Sequence, residues 1–68
     1  MTDLQKKAFT FLKNSYTNTT SVELKGNIAL AIGDIGGDDA FTFLKNSYTN
    51  TTSIALKGNI ALAIGKCS

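Results

Sequence analysis

AFTFLKNSYTNTTSVELKGNIALAIGDIG, residues 8–36, returns at residues 40–68 as AFTFLKNSYTNTTSIALKGNIALAIGKCS, at a fixed offset of 32 residues. Only five of the 29 paired positions differ: Val22 and Ile54, Glu23 and Ala55, Asp34 and Lys66, Ile35 and Cys67, Gly36 and Ser68. A period of about 20 to 50 residues marks stacked supersecondary units, each too small to bury its apolar face alone. The chain therefore reads as two units, residues 1–39 with a short N-terminal extension and residues 40–68. The two loops are as alike as the two sets of helices. Drift blurs loops first, so this points to a recent duplication or to deliberate engineering, with engineering the favoured reading.

Each unit has the pattern of two helices joined by a polar turn. In the second unit, helix A is expected to begin after Gly36 and Gly37 with Asp38 or Asp39 as its N-cap, a part that Thr2 and Asp3 play in the first. At about 100° per residue, Ala40, Phe41, Phe43, Leu44 and Tyr48 share one side, opposite Thr42, Lys45 and Asn46. Leu4, Ala8, Phe9, Phe11 and Leu12 repeat the pattern. Residues 14–20 are rich in Asn, Ser and Thr, which favour turns and caps, and they read as the loop of the hairpin. Thr20 followed by Glu23 fits a capping box opening helix B. Ala55 removes its reciprocal half in the second unit, where helix B should start less firmly.

Helix B carries two faces. Leu24, Ile28, Ala31, Ile32 and Ile35 form a broad apolar stripe suited to the core of its own hairpin. Val22, Gly26, Ala29 and Gly33 form a face of small side chains. A mid-helix glycine costs about 1 kcal/mol relative to alanine. Gly26, and Gly58 after it, therefore need a packing reason, and close approach of the neighbouring unit supplies one.

The run Leu24-Lys25-Gly26-Asn27-Ile28-Ala29-Leu30-Ala31-Ile32-Gly33-Asp34-Ile35-Gly36, followed by Asp38-Asp39-Ala40-Phe41 and Phe43-Leu44, resembles the HEAT-like repeat, especially its phycobilisome-lyase type. The shared features are an aliphatic and a basic residue opening helix B, an Ala-rich middle, Gly-x-Ile-Gly, and a short acidic turn into the next helix A. The resemblance implies an all-α fold, an α-solenoid of two stacked hairpins (four helices), with helices B lining a concave side that binds partners. Leu30 and Leu62 stand where the family more often has a charged residue, so this inner surface would be sticky, unless both sit at the edge of the core. The polar loop over residues 14–20 is longer than the family's turn.

At 68 residues the chain falls in a range where one core rarely supplies more than about 3 to 5 kcal/mol. Such chains lean on disulfides, metals or association. One cysteine and no histidine leave association. Repeat arrays usually need about three units and polar caps, whereas this one has two units, with Gln5, Lys6 and Lys7 at one end and Lys66 at the other. A homo-oligomer, chiefly a dimer, is expected, through two-fold pairing of like ends, head-to-tail stacking or exchange of hairpins. The candidate self-association or partner surface takes Phe9 and Phe41 from helices A. From the first helix B it takes Val22, Gly26, Ala29 and Leu30, and from the second Ile54, Gly58, Ala61 and Leu62. Cys67, in the place of Ile35, reads as a small apolar filler of the last turn that could form an intermolecular disulfide if it became accessible.

Other chemistry finds few residues. There is no His, Arg or Trp, and nothing that would activate Cys67, so neither catalysis nor a cofactor is expected. Asp34, Asp38 and Asp39 lack the spacing of a calcium loop, and residues 33–37 lack the Lys-Ser/Thr ending of a phosphate loop. Seven lysines give a net charge of +2, a weak footprint for nucleic acid, although Lys25 and Lys57 could meet phosphates. A peptide or protein partner on the concave side, met by Leu30, Leu62, Asn27 and Asn59, is the alternative to self-association. The longest apolar run, residues 28–32, is far short of a membrane span, and no secretory signal pattern is present, so a soluble, cytoplasmic-type protein is expected.

Overall fold

The computed structural model describes residues 1–67, which contain four α-helices and no strand: α1 (Asp3–Asn18), α2 (Val22–Ile35), α3 (Gly37–Asn50) and α4 (Ile54–Lys66). α1 pairs with α2 and α3 with α4, and the most extensive pairing of all is α2 against α4. Two helical hairpins thus meet chiefly through their second helices.

The expected loop over residues 14–20 is mostly helix, because both helices A run on to Asn18 and Asn50. In α1, Tyr16 continues the apolar stripe two turns beyond Phe9, and both side chains are buried. That packing favours helix in α1, but α3 runs equally far with Tyr48 39% exposed, so burial is not what decides the extension. The hydroxyls, instead of diverting the backbone, donate to carbonyls of the same helix: Thr17 to Asn14 (3.0 Å), Ser47 to Phe43 (2.8 Å) and Thr49 to Asn46 (2.9 Å). Only residues 19–21 and 51–53 remain as turns.

Those turns place the helix B caps one residue later than the sequence suggests. The Ser21 hydroxyl accepts the Leu24 N–H and the Ser53 hydroxyl accepts the Leu56 N–H, both at 3.1 Å. With Ser21 as N-cap, Glu23 stands at the second helical position, where its charge favours the helix dipole but forms no capping box. The same serine cap opens α4, which lacks only the acidic charge that Glu23 gives the first turn of α2. The one reciprocal capping box is at α1, where Thr2 and Gln5 each accept the other's backbone N–H.

The hairpins are joined by a single residue. Gly36 closes α2 by donating its N–H to the Ile32 carbonyl at 3.2 Å and is also the N-cap position of α3. Its φ of 74° and ψ of −167° lie in a region open essentially to glycine alone. Asp38 and Asp39 are therefore not N-caps. They lie in the first turn of α3, where their charge still favours the positive helix end.

The fully buried centre holds Ile32, Leu44 and Ile60, with Ala29, Ala40 and Ala63 between them. The small-residue face does what its composition suggests. Gly26 lies against the Asn59 side chain, and a methyl group at Gly33 would stand 2.7 Å from Ala63 Cα. Val22, on the same face, remains 43% exposed. Leu24, expected in the hairpin core, is 47% exposed, whereas Leu56, its counterpart in the second unit, is 2% exposed. Nothing covers the first unit on the side where the first unit covers the second.

The glycine contacts set a paired test. Gly33→Ala should lower stability despite alanine's better helix propensity, because the Ala63 backbone cannot give way. Gly58→Ala, whose added methyl would meet nothing within 4 Å, should raise it by roughly 0.5–1 kcal/mol. Urea denaturation of both variants at low concentration reads the two signs.

Candidate functional site

Residues with identical sequence surroundings lie in opposite environments in the two units. Phe9 is 8% exposed and Phe41 41%; Tyr16 is 7% exposed and Tyr48 39%. Gly26 and Ala29 are buried, while Gly58 and Ala61 are exposed. The reverse holds for another set: Phe11 is 70% exposed, but Phe43 is half-buried. Each unit thus has two different flanks. The flank of the first unit bearing Phe9, Tyr16, Gly26 and Ala29 meets the flank of the second bearing Phe43, Leu56 and Asn59.

The key fit at that contact is Phe43. Its ring meets Phe9 edge-on at 6.2 Å between centroids and Tyr16 edge-on at 5.3 Å, within the range in which such pairs add to simple burial. On the outer flank of the second unit a recess is open, bordered by Lys45, Tyr48, Ala61 and Ile64. On the outer flank of the first, Phe11 projects beside Lys7, Thr10 and Asn14.

Lysines lie over the aromatic rings in both units. Lys13 is 5.4 Å from the Phe9 ring centre and Lys45 is 6.0 Å from that of Phe41. Lys25 lies 5.1 Å from Tyr16, and Lys57 5.2 Å from Tyr48. These cation–π contacts engage the ammonium groups of Lys25 and Lys57, the two lysines considered for phosphate contact.

Several residues of the expected surface have other places. Phe9, Gly26 and Ala29 are spent inside the contact between the units and offer no outer surface, because the second unit covers them. Val22 is 43% exposed and Ile54 86% exposed, so the first keeps partial cover that the second lacks. Leu30 is half-buried against the core, whereas Leu62 is exposed, so the two leucines do not form an equal pair. Phe41, Gly58, Ala61 and Leu62 are exposed as a candidate surface requires. Cys67 is half-buried against the core, and burial raises its thiol pKa. Phe11, Leu24 and Tyr48 were missed as surface residues. A wheel drawn for one unit puts them on its apolar side, and only asking which flank has a neighbour separates them from Phe43, Leu56 and Tyr16.

Among the described residues no three Cys, Asp or Glu side chains gather where they could hold a metal ion. A cleft between the two hairpin turns is bordered by Tyr16, Lys25, Asn46 and Asn50. No protein-family model matches the chain, and neither does any curated protein or solved structure.

Tyr16 links the contact to pH. Burial raises its phenol above the usual 10.0, partly offset by the Ser47 hydroxyl. The folded state then holds the phenol proton more tightly than the unfolded chain, so its contribution is complete below pH 10 and is lost as pH rises through the raised value. Denaturation midpoints should fall as pH rises above about 10, the unperturbed tyrosine value, and Tyr16→Phe should flatten that fall. An unchanged slope in the variant would assign the effect to other groups.

Proposed function

We propose that the chain is a structural repeat scaffold, a two-unit α-solenoid of the HEAT-like kind that associates with itself through its uncovered ends and has no catalytic role. The observation that carries this reading is the opposite burial of equivalent residues. Phe41, Tyr48 and Ala61 on one flank, and Phe11 and Leu24 on the other, are the same side chains that the chain buries where its own units meet. Soluble proteins rarely leave contiguous apolar surface of this kind uncovered, and where it occurs it marks an interaction site. Two hairpins in series, joined through Gly36 and packed α2 on α4, suit a solenoid. The absence of histidine, together with a lone thiol whose pKa is raised by burial, gives acid–base and nucleophilic chemistry little to work with. The near-identical turns favour an engineered or recently duplicated origin. No helix among the described residues is long and apolar enough to cross a membrane.

Association linked to folding makes stability depend on concentration. Well above the dissociation constant, apparent stability should rise by about 1.4 kcal/mol for each tenfold increase in concentration. Sedimentation equilibrium should show mass growing over the same range. A strict monomer at millimolar concentration, with a melting temperature unmoved by dilution, would refute the proposal.

A further inference from the structure

Resting on the self-associating reading above, we propose that the partner is a second copy of this chain stacked head to tail, with Phe11 of one copy seated edge-on between Phe41 and Tyr48 of the copy before it. The chain contains its own template for this contact. Within it, Phe43 occupies that seat between Phe9 and Tyr16, and each of these three residues lies 32 positions from its counterpart. On the last unit the equivalent residues border open recesses, Tyr48, Ala61 and Ile64 one of them and Phe41 and Ile64 another. Phe11 is the counterpart of Phe43, left exposed on the first. Gly58 would receive Asn27 as Gly26 receives Asn59. Pairing of like ends about a two-fold axis has no such template in the molecule.

Charge supplies an independent argument. Lys6 and Lys7 of the first unit correspond to Asp38 and Asp39 of the second, and Asp34 corresponds to Lys66. The sign reverses at all three positions. Inside the chain, Lys66 Nζ lies 3.6 Å from Asp34 Oδ1, and Lys6, Asp38 and Asp39 border one cleft. Repeating the same offset sets Lys66 of one copy beside Asp34 of the next, and Asp38 and Asp39 beside the next copy's Lys6 and Lys7. Every new junction then meets opposite charge, so both columns alternate in sign along a stack. In that register residues 1–3 of the following copy and residues 65–67 of the first fall on the same repeat positions. One terminal turn must therefore swing aside, and the contact between copies is weaker than the internal one.

Head-to-tail contact is directional and open-ended unless the rotation closes a ring, so each flank can be disabled separately. Phe11→Glu spoils the inserting flank and Ala61→Glu the receiving flank. Both positions are exposed in the single chain, and far-ultraviolet circular dichroism checks that both variants stay folded. Sedimentation velocity should find each variant monomeric at concentrations where the unaltered chain forms a series of larger species. An equimolar mixture should form a one-to-one dimer that grows no further, because Phe11 of the Ala61→Glu copy still fits the intact recess of the Phe11→Glu copy. If the unaltered chain associates but one variant alone still dimerises, or the mixture stays monomeric, head-to-tail stacking is overturned while self-association stands. If the unaltered chain is monomeric throughout, both fall together.

Discussion

The close approach of α2 and α4 is the contact on which everything else in this molecule depends. Gly26, Ala29 and Gly33 carry almost no side chain, and this lets the second helix B lie nearly against the backbone of the first, with Asn59 and Ala63 in the spaces left. Interiors pack at crystal-like density, so a helix pair brought this close leaves no tolerance for added volume. The two glycines weaken α2 as an isolated helix, and the weakness is offset only by the contact they permit. Once α2 and α4 are set, α1 and α3 follow as the outer layer, and Phe43 falls into the angle between Phe9 and Tyr16.

A two-unit array has as many uncovered flanks as covered ones. On the uncovered flank of the second unit the rings are covered in part by lysine side chains, whose apolar stems and charged heads suit them to lie over aromatic rings. Lys45 over Phe41 and Lys57 over Tyr48 keep on the outer flank the arrangement that Lys13 and Lys25 have on the inner one. These lysines screen the rings from water without walling them off, and on the inner flank the same contacts coexist with Phe43 seated against both rings.

The all-helical character and the four helices were legible from the sequence, because a 32-residue repeat and a 3.6-residue apolar period are strong signals. The cost argument finds its packing reason at Gly26, against Asn59, and none at Gly58, which nothing in the chain approaches within 4 Å. The ends of the helices were not legible. Residues 14–18 look like a loop by composition, yet they stay helical in both units, with Tyr16 buried in the first and Tyr48 exposed in the second, because their hydroxyls bond back to carbonyls of the same helix instead of diverting the backbone. The caps at Ser21 and Ser53 were displaced by one residue because Thr20 and Glu23 offer a plausible competing pair. Asp38 and Asp39 look like caps until Gly36 is seen to end one helix and begin the next. The candidate surface was half legible. Sequence identity gives Phe9 and Phe41 the same chemistry, and only neighbourhood decides which of them is available.

The one-residue join at Gly36 has a mechanical consequence. Within a chain, the orientation of one unit on the other is set by the backbone angles of Gly36 and Gly37, both at positive φ, and by a tight helix contact, so the pair behaves as a stiff link. Between chains, no peptide bond sets the angle. Any rod built from these molecules would consist of rigid two-unit segments alternating with softer joints, its bending concentrated at every second junction and its pitch set by the average of two different angles.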